Sequence, residues 1–200
     1  MKTVFFDIDT QIDFLFPAGA LYAPGAEAVV GPISRLNRYA VRAGIPVVST
    51  TDAHFEDDPE FRQWPPHCVA GTAGQQKACA TLLEKRVVIP GHRTAFSLDA
   101  AQQIVIEKQK IDCFSNQNLA EVLERLGAGR YVVYGVVTEY CVRSAAFGLL
   151  ETGKRVEVVT DAIRSLDETE GRRVLESFVS RGGHLTTAAE VAPPESPVQS

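Results

Sequence analysis

Cys141 stands where a β-branched apolar run, Tyr131–Val137, gives way to a helix-like segment beginning at Glu139. A thiol of ordinary pKa, about 8.5, is mostly protonated near neutral pH, so a nucleophilic cysteine needs help. The first turn of a helix offers free N–H groups and a partial positive charge. A lysine ammonium alongside favours the thiolate, and a carboxylate can take the proton. Candidates for both occupy comparable places: Asp9 closes the run Thr3–Asp9, Asp52 follows Pro46–Thr51, and Lys108 follows Ile104–Glu107. A single cysteine taken alone reads as a buried structural thiol. The company of Asp9 and Lys108 favours chemistry.

A second constellation lies in "TDAHFEDDPEFRQWPPHC", residues 51–68. Asp52 and His54 are two apart and point the same way on an extended segment. His67 comes later in the same stretch. One carboxylate with two imidazoles suits Zn²⁺, with Fe²⁺ or Mn²⁺ as alternatives, and leaves positions open to water. Glu56, Asp57 and Asp58 read as a solvated acidic stretch. The whole segment Ala53–Arg86 is long and rich in Pro, Asp and Gln. Insertions of that length in compact domains are usually functional or disordered.

The elements that must position these side chains follow from alternation. Strand-like runs occur at Thr3–Asp9, Pro46–Thr51, Ile104–Glu107, Tyr131–Val137, Val156–Thr160 and, weakly, His184–Ala188. Helix-like stretches lie at Glu27–Arg42, Asn118–Leu126, Glu139–Glu151 and Glu168–Arg181, followed by Gly44, Gly127, Gly153 and Gly182 where left-handed caps are wanted. Continuous apolar strands alternating with helices predict a three-layer α/β/α fold, an open parallel sheet of about six strands with helices on both faces. Ligands of such sheets bind outside the carboxyl ends of the strands. Asp9, Asp52, Lys108 and Cys141 would therefore meet at one edge. We expect a single domain over residues 1–192 and a frayed tail over residues 193–200.

Bulk properties narrow the function. The chain has 200 residues, 45% of them hydrophobic, enough for one sizeable core. A net charge of −5 without a basic run gives no footprint for nucleic acid or an anionic membrane. Met1-Lys2 leads directly into a strand-like run, so we expect no export signal and a cytoplasmic location. Cys68, Cys79, Cys113 and Cys141 show no CxxC pairing and read as reduced thiols. The expected partner is a small molecule, with self-association left open.

"FDIDTQIDFLFPAGAL", "TDAHFEDDPEFRQWPPHCVAGTAG", "IVIEKQKIDCF" and "VVYGVVTEYCVRSAAFGLLETG" resemble, in order, the motifs of the isochorismatase-like cysteine hydrolases, and most of all their nicotinamidase branch. The resemblance spans about residues 2 to 190. It implies a six-stranded parallel sheet and a catalytic triad of Asp9, Lys108 and Cys141. It also implies a non-proline cis peptide at Val136–Val137 and an oxyanion hole made by the backbone N–H groups of Val137 and Cys141. Asp52, His54 and His67 become metal ligands, with Glu60 as a further candidate. Phe14 and Trp64 match the positions that hold a pyridine ring, and Val136 is a third candidate for the substrate pocket. The reaction implied is hydrolysis of a small carboxamide, nicotinamide first, to carboxylate and ammonia through a thioester.

Two departures bear on the substrate. No glycine follows Lys108, where the chain reads Gln109-Lys110, and Ile111-Asp112-Cys113-Phe114 replaces an aromatic-rich segment. Another small amide, or a carbamoyl or ureido compound, is therefore the alternative substrate. "VFFDIDTQ" also resembles the first motif of haloacid-dehalogenase-type phosphatases, which would make Asp7 a nucleophile with Mg²⁺. That reading leaves Cys141 unexplained. A non-enzymatic metal-binding scaffold is the remaining alternative, disfavoured by the full set of reactive side chains.

Overall fold

The computed structural model describes residues 1–193. All but the first residue of the expected C-terminal tail thus falls outside the described residues. Seven strands form one sheet: β1 (Thr3–Ile8), β2 (Val47–Asp52), β3 (Arg86–Ile89), β4 (Gln103–Lys108), β5 (Arg130–Val136), β6 (Arg155–Arg164) and β7 (His184–Thr186). Their order is β3-β4-β2-β1-β5-β6-β7, and every pairing is parallel.

Side chains alternate across the sheet with a period of two, and each face has its own core. Val4, Phe6, Ile8, Val48 and Val133 pack on one face against α3 (Leu119–Leu126), α4 (Arg143–Glu151) and Phe178 of α5 (Glu168–Ser180). Phe5, Val47, Val132, Tyr134 and Val136 pack on the other against α2 (Val30–Arg42), Leu15 of α1 (Ile12–Leu15) and α6 (Ala188–Val191). The expected three-layer arrangement is the observed one. Gly44, Gly127, Gly153 and Gly182 adopt φ of 66°, 57°, 72° and 92°, ending α2 to α5 as their spacing predicts.

The sheet has one strand more than expected. β3 escapes sequence reading because it is a four-residue edge strand in which only Ile89 is fully buried. It leaves neither a long apolar run nor a clean alternation to read. The long segment after β2 is ordered rather than loose. It is tied down by isolated bridges from Gln11 to Lys77 and from His54 to Val69.

Candidate functional site

Four strand ends converge, as expected for a parallel sheet. β1 stops at Ile8, and Asp9 turns the chain with φ 46°, a region that Asp and Asn enter more readily than other L residues. Its Oδ1 accepts a hydrogen bond from Thr50 Oγ1 at 2.5 Å, and its N–H reaches the Thr50 carbonyl at 3.2 Å. Lys108, at the end of β4, is completely buried. Its ammonium contacts Asp9 Oδ2 at 2.9 Å, Asp52 Oδ1, and Cys141 Sγ at 3.5 Å.

Cys141 lies in a π-helical turn, Thr138–Val142, that precedes α4, where sequence spacing suggested an ordinary first helical turn. The Val142 N–H bonds back five residues to the Val137 carbonyl at 3.1 Å. The Val136–Val137 peptide is cis. Just before it, Gly135 adopts φ 120°, and a Cβ there would lie 2.1 Å from the Ile8 carbonyl oxygen. Only glycine lets the end of β5 approach the end of β1 so closely, which sets the turn bearing Cys141 beside Asp9.

The electrostatics correct one expectation. Burial pushes the Cys141 thiol well above its ordinary range; Lys108 pulls it back, while Asp9 and Asp52 push it further up. Burial also opposes charge on Lys108, but Asp52 and Asp9 outweigh it and hold the ammonium firmly protonated. Burial raises the Asp52 carboxyl to about 6, against the pull of Lys108. One ammonium is shared between two carboxylates, so its field does not go to the sulfur alone. On this balance the Cys141 thiol lies above its ordinary range, not below it.

Asp52, His54 and His67 form a group able to hold a divalent metal, their ligand atoms lying within 4.8 Å of one another. The imidazoles fit that use. His67 Nδ1 donates to the Pro65 carbonyl at 2.8 Å, which leaves Nε2 as a lone pair. His54 Nδ1 meets Asp58 Oδ2 at 3.0 Å, and His54 Nε2 is buried with no hydrogen-bond partner among the described residues. A buried nitrogen left unpaired beside a carboxylate suits a cation. Glu60 Oε1 faces His67 Nε2 at 3.9 Å and is not part of the three-residue group.

These residues surround a narrow cavity of about 30 Å³ lined by Phe14, Trp64, Tyr140, Leu21, Ile111 and Leu166, with Asp52, Glu60, His67, Val137 and Cys141 completing its wall. Trp64 meets Tyr140 edge to face, with ring centroids 5.2 Å apart. Val136, expected in the pocket, is instead fully buried in the core, and its neighbour Val137 lines the cavity. Asp112 lies outside the lining; its Oδ1 accepts from the Phe114 N–H at 2.9 Å and from Ser144 Oγ at 3.2 Å.

Three contributors escaped the sequence. Gln11 clamps Asp52 by both backbone groups, accepting from its N–H at 2.7 Å and donating to its carbonyl at 2.8 Å. Tyr140 supplies half of an aromatic wall. Asp58 was hidden in an acidic run, although Asp-Pro ahead of a helical turn is a capping signal that could have singled it out. Asp13 is a structural carboxylate: it accepts from Cys68 N at 2.7 Å and Ala20 N at 2.9 Å. Asp7, the nucleophile of the phosphatase reading, is fully buried and occupied by Lys77 at 3.0 Å, Asn37 at 3.0 Å and Thr10 at 2.9 Å. It has no free oxygen to attack with.

The family model of the isochorismatase domain matches residues 3–190. The chain belongs to the isochorismatase-domain family. It is 26% identical over 201 residues to a nicotinamidase of Saccharomyces cerevisiae, covering 84% of this chain and 90% of that one. It is 28% identical over 184 residues to a maleamate amidohydrolase of Pseudomonas putida, covering 90% and 80% of the two. Among solved structures, the pyrazinamidase of Pyrococcus horikoshii in complex with zinc superposes with a TM-score of 0.80 at 28% identity, over 94% of this chain and 99% of that one. This member of the isochorismatase-domain family thus resembles enzymes acting on a ring amide and on an open-chain amide.

Proposed function

We propose that the protein is a cysteine-dependent, metal-assisted amidohydrolase that converts a small neutral carboxamide, of the nicotinamide type, to its carboxylate and ammonia. One observation carries this reading: a single buried ammonium, Lys108, touches both Asp9 and Cys141 beside a small, largely apolar cavity. A nucleophile next to a base that is itself held by a third group is the arrangement covalent acyl transfer requires.

Because burial pushes the thiol up, Asp9 takes its proton as Cys141 attacks the amide carbon. The backbone N–H groups of Val137 and Cys141 stabilise the tetrahedral oxyanion. Asp9 returns the proton to the leaving amine, ammonia departs and a thioester remains. Asp9 then deprotonates a water that attacks the thioester carbon, the C–S bond breaks, and Asp9 passes that proton back to the departing Cys141 sulfur, while Lys108 keeps the carboxylate oriented throughout. Asp52, His54 and His67 would hold the metal, zinc first and Fe²⁺ or Mn²⁺ next, which when bound supplies a Lewis-acid contact for a ring nitrogen. Glu60, whose Oε1 lies 3.9 Å from His67 Nε2, is the further candidate beside this group.

The lining selects among amides. Its acidic groups are Asp52 and Glu60, and no lysine or arginine is among the described residues that line it. A divalent metal on Asp52 would offset that acidic charge, so the lining discriminates by shape and aromatic contact rather than by repelling a second carboxylate. A flat neutral ring would meet Phe14, Trp64 and Tyr140. The partly exposed Trp64 and Tyr140 stand on the rim of that wall.

The test is an ammonia-release screen over nicotinamide, pyrazinamide, aliphatic amides, maleamate, carbamoyl amino acids and ureido acids. Nicotinamide should turn over with kcat/KM of about 10⁴ M⁻¹s⁻¹ or more, at least tenfold above maleamate. A carboxylate-bearing amide as best substrate would overturn the assignment.

A further inference from the structure

The loop between the two metal-site histidines fastens itself. Asp58 stands four residues after His54, and both its oxygens are engaged: Oδ2 meets His54 Nδ1 at 3.0 Å, and Oδ1 accepts from the Glu60 N–H at 2.9 Å. The second bond caps the short helical turn Pro59–Arg62. That turn presents Phe61, whose ring packs against both imidazoles, with centroids 5.3 Å from His54 and 5.7 Å from His67. One side chain therefore sets the orientation of His54 and the position of the ring that wedges the two histidines.

We propose that Asp58 is a positioning residue that sets the protein's metal affinity by holding His54 in its Nδ1–H form with Nε2 turned to the metal. The inference rests on the metal site proposed above. A carboxylate accepting from one imidazole nitrogen fixes the tautomer and makes the other a stronger donor. His54 needs this more than His67, because its Nε2 is buried with no partner among the described residues, so a turned ring would leave it idle. Asp58, and not Glu60, is thus the loop carboxylate on which metal retention depends.

The experiment measures Zn²⁺ affinity of the full-length protein by competition with a chromogenic chelator at pH 7.5, for the parent and for Asp58→Asn, Asp58→Ala and Glu60→Gln. Asn caps a helical turn as well as Asp does, so Asp58→Asn keeps the cap and removes the charge on His54. Affinity should fall about 10- to 100-fold in both Asp58 variants and less than threefold in Glu60→Gln. The visible spectrum of Co²⁺-loaded Asp58→Asn should also differ from that of the parent, while its metal-free thermal midpoint stays the same. Parental affinity in Asp58→Asn, with loss only in Asp58→Ala, would reduce Asp58 to a cap and overturn the inference. A larger loss in Glu60→Gln would overturn it too. A parent that binds no Zn²⁺ overturns the metal site itself. None of these measurements involves substrate, so a failed nicotinamide assignment would leave them readable.

Discussion

The Lys108 ammonium stands 3.5 Å from the Cys141 sulfur, yet burial pushes the thiol up rather than down. Lys108 also serves Asp9 and Asp52, and three groups divide its field. It holds both carboxylates in place beside the sulfur, with Asp9 the group positioned to take the thiol proton as attack begins. Cys141→Ala should accordingly lower kcat/KM for the best amide by more than a hundredfold, with an unchanged far-UV circular dichroism spectrum. Residual activity within tenfold of the parent would remove Cys141 from the chemistry.

Lys108→Met tests the shared charge. Met has similar length but no charge, so Asp9 and Asp52 would face each other uncompensated in a dry site. Breaking a buried ion pair by removing one partner costs about 3–5 kcal/mol. Urea unfolding of metal-free protein should show a loss of that order together with lost activity. A change below about 1 kcal/mol would mean that water reaches the site.

Trp64→Ala tests the ring wall. Aromatic contacts contribute roughly 0.5–1.5 kcal/mol beyond area burial, which converts to about 2- to 13-fold in affinity. KM for nicotinamide should rise by at least that factor, because the apolar area against Trp64 is lost as well, while kcat changes less than threefold. A fall in kcat at constant KM would place Trp64 in transition-state stabilisation instead.

Most of the framework was legible because it rests on periodicity and on glycine. Continuous apolar runs alternating with helical stretches gave six strands, and four glycines with positive φ marked the ends of α2 to α5. The strand-end rule then brought Asp9, Asp52, Lys108 and Cys141 together. What stayed hidden depends on tertiary context. β3 buries one residue fully and carries no pattern. Asp58 looks like its solvated neighbours until a histidine is seen against it. The thiol's proton affinity was misjudged because proximity to Lys108 can be guessed from strand ends, whereas complete burial and two competing carboxylates cannot. A single π turn is too short to leave a distinct period in the sequence, and only the five-residue hydrogen bond reveals it.

Glu157 gives a pH dependence away from the site. The side chain, buried on β6, receives Arg130 at 2.9 and 2.5 Å and Arg155 at 2.5 Å. Burial opposes its ionisation, but the two guanidiniums win and hold the carboxyl below its usual range. A carboxyl depressed on folding contributes stability above its unfolded pKa, about 4.3, and loses it as pH falls through the lower folded value. Glu157→Gln should therefore be less stable than the parent in urea at pH 7, with a gap that narrows below about pH 4.3. Arg155 is 49% exposed, so water screens its share and the gap is modest. A gap independent of pH would exclude the ion pairs as its source.

The last prediction concerns Gly135, which joins fold to site. It pairs with Ile8 in the β1–β5 register, so the residues that follow on each strand, Asp9 and Val136-Val137, leave the sheet side by side. A Cβ at Gly135 would sit 2.1 Å from the Ile8 carbonyl oxygen and 2.6 Å from its nitrogen, and backbone atoms cannot swing away as a side chain can. At Gly153, by contrast, φ is 72° and nothing lies within 4 Å of the added atom. Gly153→Ala carries only the conformational term, about 1–2 kcal/mol. Gly135→Ala adds overlap to an unfavourable φ and should cost roughly 3 kcal/mol or more. Whatever folds should hold Cys141 away from Asp9 and be inactive. Urea unfolding of both variants, with activity measured on the soluble fraction, makes the comparison. Equal losses for the two alanines would mean that the approach of β5 to β1 is softer than drawn, and that something other than Gly135 sets the distance between base and nucleophile.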